Sequence, residues 1–499
     1  MGLAAASPST QESTAVTAFL TSRITRGSVL ALAIVLFAIT NLPWHLDDYD
    51  QAKQAFTSFE MVERGHWFYQ HTPNWWVATK PPLVGWISAG LFAITRSWEF
   101  AWRLPSFIAA VALLVLLLRA ARVYGAVAAL AAACALGFNL FVPRLASLVR
   151  TDMPLALVLF AIGLLIWEKI RMRAAWTRRD RLLLFLLLSA GMLIKGPIIY
   201  AFLGPGLAAF AWRWRGTNAA ASAWSGWLPW LVSFLVFLVW VGGGIFFVPE
   251  FTEHVVLREF AGRFSDEVHR SQPFYFYLPH LLHRFAPWSL LLVALAFVAL
   301  KKNGNPARLS PETFWLLAWS LGGLLVMSLV PSKRIDRVFP IVPPLCLLLA
   351  AVVAACREKE RWRPIVDRSC AVAIILSVVF TGGYTARKIV LASREQRAAF
   401  AVFGRAVVTE ATAHGWRYAV VGGEDEGMLL YVRRTEFLEP EEAAADWNKG
   451  KLDALVVPDD EIDGLLPRLQ GGEPKKILIS NPAGSYGKRY FLLARPPSS

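Results

Sequence analysis

Long apolar runs separated by short basic turns fill most of the chain, among them Gly27–Leu42, Leu104–Leu118, Val123–Phe141, Pro154–Trp167, Trp227–Val248, Phe314–Val330 and Val338–Ala355. Each reads as a helix in lipid, because roughly 20 apolar residues cross about 30 Å of hydrocarbon. Leu83–Thr95 is equally apolar but, at about 13 residues, too short to cross unaided. Further runs at Leu182–Ile194, Pro197–Trp212, Leu281–Leu300 and Ser369–Tyr384 bring the expectation to about 11 to 13 spans. Arg23 and Arg26 precede the first run, and basic clusters recur at Arg119/Arg122, Lys169–Arg181, Arg213/Arg215, Lys301–Arg308 and Arg357–Arg368. Lys and Arg mark cytoplasmic loops, so 1–27 falls inside, and 44–103, 142–153, the bend at Lys195, 249–280 and 331–337 fall outside.

The pattern changes near residue 386. An amphipathic stretch is followed by strand-like runs at Tyr418–Val421, LDALVV and KKILIS, which predict a small soluble α/β domain. An odd number of spans places it outside. The expected architecture is a mainly α, polytopic membrane protein: a tail over 1–27, a transmembrane domain over 28–385 with outer loops 44–82 and 249–280, and a domain over 386–499.

Composition agrees, with 56% hydrophobic and 17% charged residues and 21 Trp. The net charge of +15 is accounted for by the basic loops, so no nucleic-acid partner is expected. The four cysteines lack metal-ligand spacing and sit in or beside apolar runs, as small buried hydrophobes do. The N-terminal run follows a long polar lead without a small-residue cleavage site, which favours an uncleaved first span.

The polar interruption Trp44–Pro82 carries three of the eight histidines and a cluster of carboxylates. Ala52, Ala55, Phe56, Phe59 and Val62 recur at helical spacing, predicting an interfacial helix with its apolar side toward lipid or the bundle. Asp47 fits its N-cap and Gly65 its stop, with Asp47 and Asp48 both read as caps or solvated loop residues. Asp50 then lies in the first turn as either a cap or a functional carboxylate. Lys80, stiffened by Pro81 and Pro82, is either a snorkelling anchor or a ligand. Asp152 stands at the outer mouth of a span, where an ion pair with Arg150, a capping role or function are all open. Lys195 sits at a helix break. Lys333, Arg334 and Arg337 gather in an outer loop against the charge trend, which suits a phosphate group. Together these residues put two carboxylates and several cations at one membrane face, as transfer from a phosphate leaving group requires.

The runs DQAKQAFTSFEMVERGHW, TKPPL, RLPS, RTDMPLAL, LIKGP and SKR followed by FPIVPPLCLL resemble the protein O-mannosyltransferase and lipid A aminoarabinose transferase superfamily. The segment Glu259–Leu292 is similar to its large periplasmic loop, with the likeness covering about 28–355. The resemblance implies a GT-C fold that takes a sugar from a polyprenyl-phosphate donor in the periplasm. It puts the first family Asp on Asp50, the second acidic position on Asp152, and the two loop lysines on Lys80 and Lys333. Gln51, Lys53, Thr79 and Arg337 depart from the residues common in the family, and the added positive charge points to an acidic donor sugar such as a uronic acid.

The expectation is therefore an inner-membrane glycosyltransferase using undecaprenyl-phosphate-linked sugar, with lipid A, lipopolysaccharide core or another envelope glycan as acceptor. Protein O-glycosylation is the alternative within the superfamily, and a lipid-linked glycan flippase or an assembly scaffold the alternatives outside it. Asp50, Asp152 and Lys80 are the expected catalytic residues, and Lys53, Lys195, Arg263, His269, Lys333, Arg334 and Arg337 the expected substrate ligands. The chain is expected to act as a monomer and without a cofactor: the scattered histidines require no metal, although Asp50 and Asp152 could hold a divalent cation.

Overall fold

Helices that are apolar around much of their circumference bury against one another or face lipid, and the computed structural model of this chain is built from them. It describes residues 8–499 apart from 47, 74–75, 261–270, 304–308, 424, 472, 483–486 and 497–499. Among the described residues, six helices are long and apolar enough to cross a membrane: Trp98–Tyr124, Asp152–Met172, Asn218–Phe247, Pro311–Leu329, Ile335–Arg357 and Arg363–Arg394. Two bent pairs add to these, Ala15–Thr21 with Arg23–Ile39 and Tyr277–Arg284 with Trp288–Ala299, as do the shorter apolar helices Leu83–Thr95, Ala126–Gly137 and Ile198–Arg213. The protein is thus a multi-pass membrane protein. The Ile335–Arg357 span is 89% buried and forms the middle of the bundle, whereas Asn218–Phe247 is 22% buried and lies at its rim.

Small residues set the close helix crossings, as in other membrane bundles. A Cβ on Gly206 would lie 2.7 Å from Trp319 Cα, and one on Gly322 would lie 2.8 Å from the Gly206 nitrogen, so only glycine lets these helices meet. All four cysteines are free and buried, as their surroundings predicted.

The amphipathic stretch after the first span forms helix Tyr49–Arg64. Its cap is Asp48, whose carboxylate accepts from the backbone N–H groups of Asp50 and Gln51; the expected cap, Asp47, lies outside the described residues. Gly65, at φ 78°, ends the helix where an L side chain would be strained. Ala52, Ala55, Phe56 and Phe59 are buried as the periodicity predicted, and Val62 is exposed. The bundle side of the expectation holds, since they pack on Trp98 and Trp102 of a spanning helix, and a partner the pattern did not announce joins them: Phe400, Phe403, Val407, Met428 and Tyr431 of the C-terminal domain complete the same apolar core.

The last span continues to Arg394, past the expected boundary at 386, and the C-terminal helix Ala399–His414 follows. A five-stranded sheet then forms in the order β2-β1-β3-β5-β4 from β1 (Tyr418–Val421), β2 (Phe437–Leu438), β3 (Ala454–Pro458), β4 (Lys475–Ile479) and β5 (Tyr490–Ala494). β1 pairs in parallel with β2 and β3, and β5 runs antiparallel between β3 and β4. β1, β3 and β4 fall on the three predicted runs.

Candidate active site

Four chain segments converge on one end of the bundle: the start of helix Tyr49–Arg64, the loop ending at Lys80, the turn 147–152 and the turn 331–337. Local hydrogen bonds fix each. Gln51 Oε1 accepts from the Val149 N–H at 3.2 Å, tying the helix to the 147–152 turn. Ser106 donates its hydroxyl to the carbonyls of Leu148 at 2.7 Å and Arg150 at 3.2 Å, which holds that turn from below.

Arg150 is the hub. Its Nη2 lies 3.2 Å from Asp48 Oδ2 and 3.4 Å from Asp50 Oδ2, and its Nη1 lies 3.0 Å from Asp336 Oδ2. Asp336 is held also by Arg144 at 3.2 Å. Arg334 closes an ion pair on Asp50. Burial works to raise the Asp50 pKa, but the hydrogen bond and charge of Arg334, with Arg150 and Lys80, override it and hold the carboxyl down at about 2.

Asp152, the first residue of its helix, pairs with Lys195 at 2.6 Å, and among the open readings it takes this partner rather than Arg150. Lys80 reaches Gln54 Oε1 at 3.4 Å and feels the charges of Lys195, Asp152, Asp50 and Lys53. Its burial, followed by the neighbouring Lys195, lowers its pKa to about 8. Arg337 donates to the Ser332 carbonyl at 2.7 Å and lies within electrostatic reach of Asp152 and Asp50.

The structure therefore brings Asp50, Asp152, Lys53, Lys80, Lys195, Arg334 and Arg337 to one place. Lys333 is turned away from that group, its amine donating to the Gln272 carbonyl at 2.9 Å. Arg263 and His269 lie outside the described residues.

Sequence reading missed Asp336 and Glu426. Asp336 stood in plain view among three cations, which drew attention to the cations alone. Glu426 belongs to the C-terminal helix Glu426–Tyr431, which packs on Tyr49–Arg64; no local signal separated it from the other acidic residues nearby. A Cβ on the following Gly427 would lie 2.5 Å from the Leu46 carbonyl oxygen, which is how closely the two elements meet. Glu426 is buried, its Oε2 has no hydrogen-bond partner among the described residues, and burial pushes its pKa up to about 7, with Lys53 opposing and Asp50 adding to the shift.

Chemically, this is a cluster in which cations outnumber carboxylates, set at one end of a membrane bundle. Such a place holds a phosphate group beside a carboxylate that can orient a hydroxyl.

The bundle, the helix across its end and the small α/β domain define a membrane protein of GT-C fold. The fold is shared with ArnT from Cupriavidus metallidurans, solved bound to undecaprenyl phosphate, with a TM-score of 0.71 at 17% identity over 93% of this chain and 97% of that one. The archaeal oligosaccharyltransferase AglB from Archaeoglobus fulgidus is a more distant neighbour, with a TM-score of 0.52 at 13% identity over 88% of this chain and 70% of that one. Residues 79–240 match the family described as dolichyl-phosphate-mannose-protein mannosyltransferase. Among curated relatives, the undecaprenyl phosphate-alpha-4-amino-4-deoxy-L-arabinose arabinosyl transferase 1 of Sodalis glossinidius is 36% identical over 23% of this chain and 20% of its own length. The Yersinia pestis arabinosyl transferase of the same description is 26% identical over 39% of this chain and 36% of its own length. The sequence matches thus span a fifth to about a third of these relatives.

Proposed function

We propose that this protein is a glycosyltransferase that moves a sugar from a polyprenyl-phosphate donor, undecaprenyl phosphate by likeness to the relatives, to a periplasmic acceptor such as lipid A, lipopolysaccharide core or another envelope glycan. The observation that carries the reading is the cluster of Lys80, Lys195, Arg334 and Arg337 around Asp50 and Asp152 at one end of an ArnT-like bundle. The chain acts as an inner-membrane protein with this end and the C-terminal domain facing the periplasm, a reading supported by the basic loops at the opposite end.

In the reaction, an acceptor hydroxyl oxygen attacks the anomeric carbon, the bond to the donor phosphate oxygen breaks, and the polyprenyl phosphate leaves with the electron pair. Configuration inverts. Lys80, Arg334 and Arg337 neutralise the leaving phosphate, and cationic side chains do the work of a metal at this centre. Asp50 accepts the hydrogen bond of the attacking hydroxyl and takes its proton as the new bond to the anomeric carbon forms. While Arg334 holds it, a pKa of about 2 makes it a weak base. A donor phosphate competing for Arg334 releases Asp50 for that task.

Transfer from undecaprenyl-phosphate sugar by purified protein, with lipid A and a periplasmic protein as parallel acceptors, tests the reading. Asp50→Asn is expected to lower the rate by at least ~100-fold with unchanged folding. Full activity in the variant would remove Asp50 from the mechanism, and glycosylation of the protein acceptor alone would redirect the assignment to protein O-glycosylation.

A further inference from the structure

Two histidines that are far from conspicuous in sequence meet a buried carboxylate at the other end of helix Tyr49–Arg64. Glu60, in the last turns of that helix, has a side chain only 2% exposed. His66 follows the left-handed Gly65, and His71 sits in the hairpin-like loop beyond, where it bridges to Val77. His66 Nδ1 lies 2.7 Å and His71 Nδ1 3.1 Å from the same oxygen, Glu60 Oε1. The second oxygen, Oε2, accepts the His71 backbone N–H at 2.5 Å. The two imidazoles meet edge to face with centroids 5.0 Å apart, and one donor atom from each of the three residues falls within 4.8 Å of the others.

We propose that Glu60, His66 and His71 form a binding site for one divalent transition metal of the zinc class. Two imidazole nitrogens and one carboxylate oxygen suit Zn²⁺, whereas Ca²⁺ and Mg²⁺ prefer sets made of oxygen alone. Bonds of about 2.0–2.2 Å place ligand atoms of a tetrahedral ion roughly 3.4 Å apart, so the carboxylate must retreat from each imidazole by several tenths of an ångström. The ion takes the position of the Nδ1 contacts with Glu60 Oε1, and each neutral imidazole that ligates through Nδ1 carries its proton on Nε2. His66 is half-exposed, which leaves the fourth position to water.

The site is separate from the proposed transfer centre: ten residues of helix put Glu60 about 15 Å along the axis from Asp50. It acts as a clamp. One ion would join the end of the helix, its exit and the hairpin, and so fix the start of the loop that ends at Lys80. The backbone bonds from Ala78 to Gln70 at 2.8 Å and from Thr72 to Trp76 at 2.7 Å carry that constraint along the loop.

The test uses full-length, tag-free protein in detergent, stripped with a chelator and titrated with Zn²⁺ alone. Calorimetry and elemental analysis of the dialysed protein should give one zinc per chain, and zinc should raise the melting temperature. His66→Ala and His71→Ala should each weaken binding at least 10-fold and abolish the melting shift, while His414→Ala, in the C-terminal domain, should change neither. Because His66 is half-exposed, its variant should keep the fold of the stripped protein, checked by its melting temperature without metal. Substoichiometric zinc in the wild type, or equal binding in the His66→Ala and His71→Ala variants, would overturn the proposal. Neither readout depends on the sugar donor, so failure of the transferase reading leaves this result standing.

Discussion

Arg334 and Arg150 keep Asp50 ionised, while Lys80 is poised at the edge of losing its charge, and this asymmetry makes the lysine the residue that reports donor binding. With a pKa lowered to about 8 by burial and by Lys195, the free amine is protonated at neutral pH and neutral above it. An arriving phosphate favours the charged form, so its binding raises that pKa and takes up protons. Affinity for the polyprenyl-phosphate donor should therefore be flat below pH 7 and fall as pH rises through about 8. Lys80→Met should bind donor at least ~10-fold more weakly at pH 7 and lose the inflection, as measured by calorimetric titration with a short-chain polyprenyl-phosphate sugar, a phosphodiester that does not itself titrate in this range. A variant with the wild-type profile would place the phosphate elsewhere. The sequence exposed Lys80 through its prolines, but its lowered pKa comes first from burial and then from Lys195, which lies more than a hundred positions away, and both arise only in the fold.

Helix Tyr49–Arg64 connects the site to the soluble domain, and Glu426 registers the contact. Its carboxyl is raised from 4.5 to about 7 by burial, so the folded state holds this proton more tightly than the unfolded chain does. The stability it contributes is complete below about pH 4.5 and is lost as pH rises through about 7, a change on the order of 3 kcal/mol. Asp50 works in the opposite sense and in another window, losing its contribution as pH falls from 3.8 towards about 2. Between pH 5 and 8 the wild type should thus lose thermal stability relative to Glu426→Gln, a difference in which the opposite effect of partly buried His45 cancels; parallel curves would show that the carboxyl is not confined at this contact. Much of this element was legible beforehand. Its helical period, its stop at Gly65 and the placing of Asp50 in the first turn all follow from residues close in sequence. What covers Phe56 and Phe59 was not legible, because periodicity gives the buried face of a helix but not the partner. The spans were readable from apolar length, and β1, β3 and β4 from short β-branched runs, whereas two-residue β2 was too brief to show a pattern. Lys333 marks the limit at the site: its charge and position matched its neighbours, and only the local turn sends its amine to Gln272.

For the molecule as a whole, the C-terminal domain completes the core beneath the proposed active site. Phe56 and Phe59 share one apolar cluster with Phe400, Phe403, Val407 and Met428, and Arg64 pairs with Glu436 at 2.7 Å across the same contact. Burying a Phe contributes about 1.5–3 kcal/mol, so removing the domain would return part of that cost to a helix whose apolar face would then be covered from the bundle alone, by residues such as Trp98 and Trp102. Ending the chain at residue 395 is therefore expected to leave the spans inserted, since their apolar length is independent of the domain, while helix Tyr49–Arg64 loses its seat. Limited proteolysis should cut within 44–82 at least ~10-fold faster than in the full chain, and sugar transfer should fall with it. Replacing Phe56 and Phe59 by polar residues in the full-length protein should produce the same cleavage, because it breaks the contact from the opposite side. A truncated protein that transfers sugar at the full rate, with the loop still protected, would show that the bundle alone holds Asp50 and Lys80 in place.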